Sequence, residues 1–149
     1  MKRISIIAGL VSCMGLLFCW SAQAGKLHDA ADQGDVAKVR HLLEKGADVN
    51  ARSGDWRQQT PLHLAAYDIG NTEVAKLLIA KGADVNARDE NLATPLHNAA
   101  LNGNPEMAKL LIAKGADVNA TALLFTPAML AEQQNHPETA AVIRQAGGR

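Results

Sequence analysis

Two long stretches of this chain nearly repeat each other. Thr94 to Ala120 reads TPLHNAALNGNPEMAKLLIAKGADVNA, and Thr60 to Ala87 reads TPLHLAAYDIGNTEVAKLLIAKGADVNA. Glu73 and Glu106 are 33 residues apart, as are Gly82 and Gly115. Self-similarity at a period of this size calls for a repeat architecture before any other fold. A shorter copy, KLHDAADQGDVAKVRHLLEKGADVNA, runs from Lys26 to Ala51, and a diverged one follows Thr121.

Each copy carries two helical patterns. In the first copy Leu27, Ala30 and Ala31 share one face, and Val36, Val39, Leu42 and Leu43 make the second. In the second copy Thr60 is a helix-cap residue and Pro61 fits the first helical position, where a missing N–H costs nothing. Leu62, Leu64, Ala65 and Ala66 follow, and Ile69-Gly70-Asn71 breaks the pattern. A second helix is predicted from Thr72 to Lys81, with Val74, Leu77, Leu78 and Ile79 on its apolar side and Gly82 ending it. Such short helices are unstable alone in water, so their apolar faces must meet each other and the next pair. Ala65-Ala66 and Ala99-Ala100 allow close helix approach.

These residues resemble the ankyrin repeat: TPLH, an Ala-Ala pair, an amphipathic second helix, then GADVNA. The resemblance spans Lys26 to about Gln145 and implies an all-α repeat solenoid of about four helix-turn-helix units, with approximate limits 26–51, 52–87, 88–120 and 121–149. It further implies a finger loop or β-hairpin between units, and a concave surface of fingers and first helices that binds other proteins. Four units exceed the minimum of about three needed for a stable stack. The end units are more polar, with Asp29 and Asp32 in one and Glu132, Gln133, Gln134 and Arg144 in the other, as capping requires. Asn135 stands where a left-handed glycine is usual, and Leu92 and Leu124 where finger glycines are usual. Asn98 replaces the Leu64 of the preceding unit. The closing Gly147-Gly148-Arg149 is expected to fray.

Residues 1–24 are a different material. Lys2 and Arg3 precede an apolar run from Ile4 to Trp20, and Ala22-Gln23-Ala24 forms an A-x-A ending. This is the pattern of a secretory signal peptide cleaved before Gly25, leaving a domain over 25–149 and placing it in the periplasm. A competing reading takes Leu10-Val11-Ser12-Cys13 as a lipobox with Cys13 lipidated, although the apolar run continues past it. Cleavage removes Cys13 and Cys19, so the remaining chain holds no disulfide or thiolate site. Without Lys2 and Arg3, the 15 basic residues fall to 13 against 15 acidic, which gives no basic surface for nucleic acid or anionic lipid.

The remaining aromatics are Trp56, Tyr67 and Phe125, and none falls at a core position of the repeat. Aromatics are favoured anchors of protein interfaces. Matched to the variable groove positions of the family, Arg57, Gln59 and Asp68 surround them. Glu90, Asn91, Ala93, Leu101 and Asn102 come from the next unit, and Asp32 and Gln33 from the first. Insertions in solenoids map to loops, often on the binding face. Here the first spacer RSGDWRQQ has eight residues against six in RDENLA and five in TALLF, and YDIGN is one longer than LNGN.

His28, His63 and His97 recur at one register, which predicts a structural hydrogen bond between neighbouring units. His41 with Glu44 and His136 with Glu138 lack the further ligands of a metal site, so neither metal nor other cofactor is expected. Asp48, Asp84 and Asp117 recur in GADVN and read as turn chemistry. No nucleophile elbow or phosphate-binding loop occurs. The expectation is a monomeric, non-enzymatic binding module serving a protein partner, as accessory to a periplasmic enzyme. The alternatives are a toxin-neutralising inhibitor, a secreted effector, and a small hydrolase built on Asp55, Asp68 and Glu90.

Overall fold

The computed structural model describes residues 25–149, so the leader reading, with Cys13 and the Ala24 cleavage point, lies outside the described residues. The described chain forms four helix pairs. Helix α1 is helical over 25–32 and pairs with α2 (Val36–Glu44). Then come α3 (Pro61–Tyr67) with α4 (Thr72–Ala80), α5 (Pro95–Leu101) with α6 (Pro105–Ala113), and α7 (Pro127–Gln133) with α8 (Pro137–Gln145). The first helices α3, α5 and α7 pack in one row, and α2, α4, α6 and α8 in a second. This is the two-layer solenoid that the repeat implied.

The core follows the periodicity. Leu27, Ala30, Ala31 and Val39 are fully buried, as are Leu62, Val74, Leu78, Leu96, Met107 and Leu111. Leu43, Leu77 and Ile79 are half-buried against them. The paired alanines at 65–66 and 99–100 are also fully buried, where they let adjacent first helices approach.

Polar ladders join the repeats. Asp84 Oδ1 accepts the Asn86 N–H at 2.9 Å inside its turn, which is the local chemistry expected of GADVN. The asparagine then reaches across. Asn50 Nδ2 donates to Gly82 O at 3.1 Å while its Oδ1 accepts from Asp84 N at 2.8 Å. Asn86 makes the same pair with Gly115 O and Asp117 N at 3.0 and 2.8 Å. Asn119 closes the ladder on Gly147 O at 3.2 Å and Arg149 N at 3.0 Å. The expected fraying of Gly147-Gly148-Arg149 is therefore wrong. These residues continue the register of the GADVN turn, with Gly147 at a φ of 95°, and the preceding asparagine holds them.

Asn135 takes the left-handed conformation of the glycine it replaces, with φ 61°. Gly103, at the corresponding place one repeat earlier, has φ 66°, and a Cβ there would lie 2.4 Å from His136 Nδ1. At Gly103 both the turn and the close approach of the next repeat require glycine.

Candidate functional site

The fingers are the least regular part of the fold. In the first, Ser53 N–H donates to Gln59 O at 2.8 Å, and the Ser53 hydroxyl donates to Asp55 Oδ1 at 2.5 Å. That hydroxyl and the nearby amides of Gln58 and Arg57 hold the exposed Asp55 carboxyl below its ordinary pKa. In the second finger Asp89 Oδ1 accepts the N–H groups of Asn91 and Ala93 at 2.8 and 2.9 Å. The third is a tight hairpin: Ala122 and Phe125 exchange two backbone bonds of 2.9 Å around Leu123 and Leu124. Only this one forms a β-bridge among the described residues.

The recurring histidines tie each finger to the repeat before it. Thr60 N–H donates to His63 Nδ1 at 3.2 Å, so this nitrogen is the acceptor, and Nε2 carries the proton that it donates to Ala93 O at 3.0 Å. His97 repeats the arrangement with Thr94 N at 3.1 Å and Phe125 O at 3.3 Å. His28 Nε2 lies 2.9 Å from Gln59 O. Burial pushes the pKa of both His63 and His97 below the ordinary 6.5, against the opposing pull of the carbonyl bonds.

That direction fixes a pH dependence. Below about 6.5 an unfolded chain takes up protons that native His63 and His97 refuse, so stability is complete above that pH and declines as pH falls through it. Urea midpoints measured from pH 7.5 down to 5.5 are expected to fall. In a His63→Gln, His97→Gln variant the midpoint is lower but the slope against pH is shallower.

Between the first two fingers and helices α3, α5 and α7 lies an open cleft of about 180 Å³. Its walls include Arg57, Gln59, Tyr67, Asn91 and Leu101, all named from the sequence. Asp89, Ala93, His97, Asn98 and Leu130 complete it. Arg57 lies over the Trp56 ring at 5.1 Å, and Trp56 itself is 68% exposed. Tyr67 is 46% exposed at the end of α3, and its carbonyl receives the Asn102 side-chain amide.

Of the other predicted residues, Asp68, Glu90 and Phe125 sit outside the cleft lining. Asp68 caps the end of α3 and is exposed. Glu90 is exposed, with Gln58 Nε2 at 3.3 Å from its carboxylate. Phe125 is partly exposed, and its carbonyl carries the His97 bond. Gln59 is only 7% exposed and is held by Ser53 and Asp89, so most of its surface is spent within the finger. Asp55, Asp68 and Glu90 do not line this cleft. Sequence reasoning missed Asp89 and Leu130 as walls. It noted Asn98 only as a departure from Leu64, and a polar residue at a core register was the available signal.

Paired helices in two rows, fingers between them and an asparagine ladder along the edge define an ankyrin-repeat solenoid. The family model for ankyrin repeats in three copies matches residues 24–89, and that for ankyrin repeats in many copies matches residues 70–112. Together they span more than half of the chain, which belongs to the ankyrin-repeat family. Proteins of this kind are protein–protein interaction modules. Among the described residues no helix is long and apolar enough to cross a membrane.

Proposed function

We propose that this chain is an exported, non-enzymatic binding module that engages a protein in the periplasm through its fingers and first-helix ends, as accessory to an enzyme there. One observation supports the reading above others. The exposed large hydrophobic side chains are confined to the fingers, the first helices and the turns after them. Trp56, Leu92, Leu123, Leu124 and Phe125 are in the fingers; Tyr67, Ile69 and Met129 are on first helices or the turns after them. Among the described residues none is on a second helix. A surface that only had to be soluble would not sort its apolar groups this way. The A-x-A-terminated apolar leader supports export.

The test is affinity capture from periplasmic extract, with the N-terminus of the recovered chain read by mass spectrometry. A Trp56→Ala, Tyr67→Ala pair is expected to lower partner recovery at least about tenfold, as loss of two aromatic anchors should. Its helical circular dichroism should match wild type, and the N-terminus should be Gly25. Equal recovery by a folded variant would remove the fingers from the binding surface, and an intact leader would remove export.

A further inference from the structure

The third repeat contains a side chain that the fold does not use fully. Asn98 occupies the register of Leu64 and Leu130, yet it is polar and only 6% exposed. Its Nδ2 donates to His63 O at 2.9 Å. A carbonyl can only accept, so the amide must present nitrogen there and turn its oxygen the other way. Among the described residues no hydrogen bond reaches that Oδ1, and Asn98 forms part of the cleft wall. Thr139 Oγ1 is the buried side-chain atom without a partner among the described residues, so Asn98 Oδ1 keeps access to solvent: it is an acceptor open to a ligand at a place where the neighbouring repeats carry leucine.

Two further acceptors join it. Gln59 points its amide nitrogen at Asp89 Oδ2 from 3.4 Å, a long contact, which leaves Gln59 Oε1 without a bond among the described residues. Asp89 Oδ1 is already taken by two backbone N–H groups, so Oδ2 is the oxygen with capacity to spare. Tyr67, Leu101 and Leu130 supply apolar wall. Arg57 is the cation of the lining, and it is stacked on Trp56.

We infer that this cleft is a recognition subsite for one lysine or arginine side chain of the partner protein. The aliphatic stem lies against Tyr67, Leu101 and Leu130, and the cationic head donates to Asn98 Oδ1 and the Asp89 carboxylate. The volume of about 180 Å³ suits one side chain rather than a folded segment. An acidic side chain seeking Arg57 would bring its charge toward the same acceptors. This assignment rests on the proposed protein-binding role for its natural occupant, but the subsite is measurable without the partner.

The experiment is an NMR titration of the purified protein with Nα-acetyl-lysine methylamide, against the norleucine and glutamate counterparts. The lysine compound is expected to shift the Asn98 side-chain amide and the Leu101 and Leu130 methyl signals. It should bind about tenfold more tightly than norleucine, the scale of one hydrogen bond to a charged group. Asn98→Leu, which restores the residue of the neighbouring repeats, should reduce that ratio severalfold, with the Asp89 carboxylate keeping a residual preference. Asn98→Asp, which keeps an acceptor and adds charge, should raise it. Equal binding of norleucine, stronger binding of glutamate, or a lysine preference undiminished by Asn98→Leu would overturn the assignment. If those results came while Trp56→Ala, Tyr67→Ala still lost its protein partner, the subsite alone would fall. A lysine preference that behaves as expected, with partner recovery indifferent to Trp56 and Tyr67, would instead remove the finger surface and leave the cleft.

Discussion

Replacing Leu96 by alanine is expected to lower stability by about 3–5 kcal/mol, the upper part of the range for a buried leucine truncation. Leu96 is fully buried in α5, and α5 packs against α3 on one side, α7 on the other and α6 behind. A solenoid owes its stability to nearest-neighbour interfaces, so a cavity in an interior unit weakens the contacts on both sides of it. Ile143 is equally buried, but it lies in α8, which packs on α6 and α7 with no later helix among the described residues. Ile143→Ala is therefore expected to cost less and to leave the first three repeats cooperative. Urea denaturation followed by circular dichroism checks both. If Leu96→Ala were no worse than Ile143→Ala, the central repeat would not be the coupling element that the packing describes.

The same hierarchy explains what the sequence disclosed. The helix pairs were legible because each local signal agreed with the others: Pro61 opens α3, Gly82 follows α4 with a φ of 92°, and the alternation of buried positions matches the helical period. Consistency of that kind is what lets a chain specify one fold. Asn135 could be read as a glycine substitute because asparagine tolerates the left-handed region. The ends of the chain were harder. Gly147-Gly148-Arg149 has the composition of a loose tail, and its order comes from Asn119, 28 residues or more away in sequence. Gln59 was named for the interface from its register, and its burial against Asp89 depends on how two fingers lean together, which no local pattern encodes. Asn98 lay in plain view as a polar residue at an apolar register. Its meaning needed the neighbouring carbonyl of His63 to show which end of the amide is free.

The second large effect should be a gain in stability at the third finger. Leu123 and Leu124 have φ values of 47° and 86°, between two residues that exchange hairpin bonds. A two-residue loop with both φ values positive belongs to Asn-Gly or Asp-Gly, not to two branched side chains. Each leucine held there costs about 1–2 kcal/mol. Leu123→Asn with Leu124→Gly removes most of that strain, partly offset by the greater freedom of glycine in the unfolded chain, for a net gain of about 2 kcal/mol. Leu124 is 91% exposed, so its replacement opens no cavity to cancel the gain. A strained turn that holds two leucines in solvent has no account within the folded chain alone, and strain of this sort collects where a molecule meets its partner. The stabilised variant should accordingly recover less partner than wild type in the capture assay, while unfolding at higher urea. A gain in stability with undiminished capture would assign the third finger to the fold only, and a loss of stability would mean that these leucines pack better than their exposure indicates.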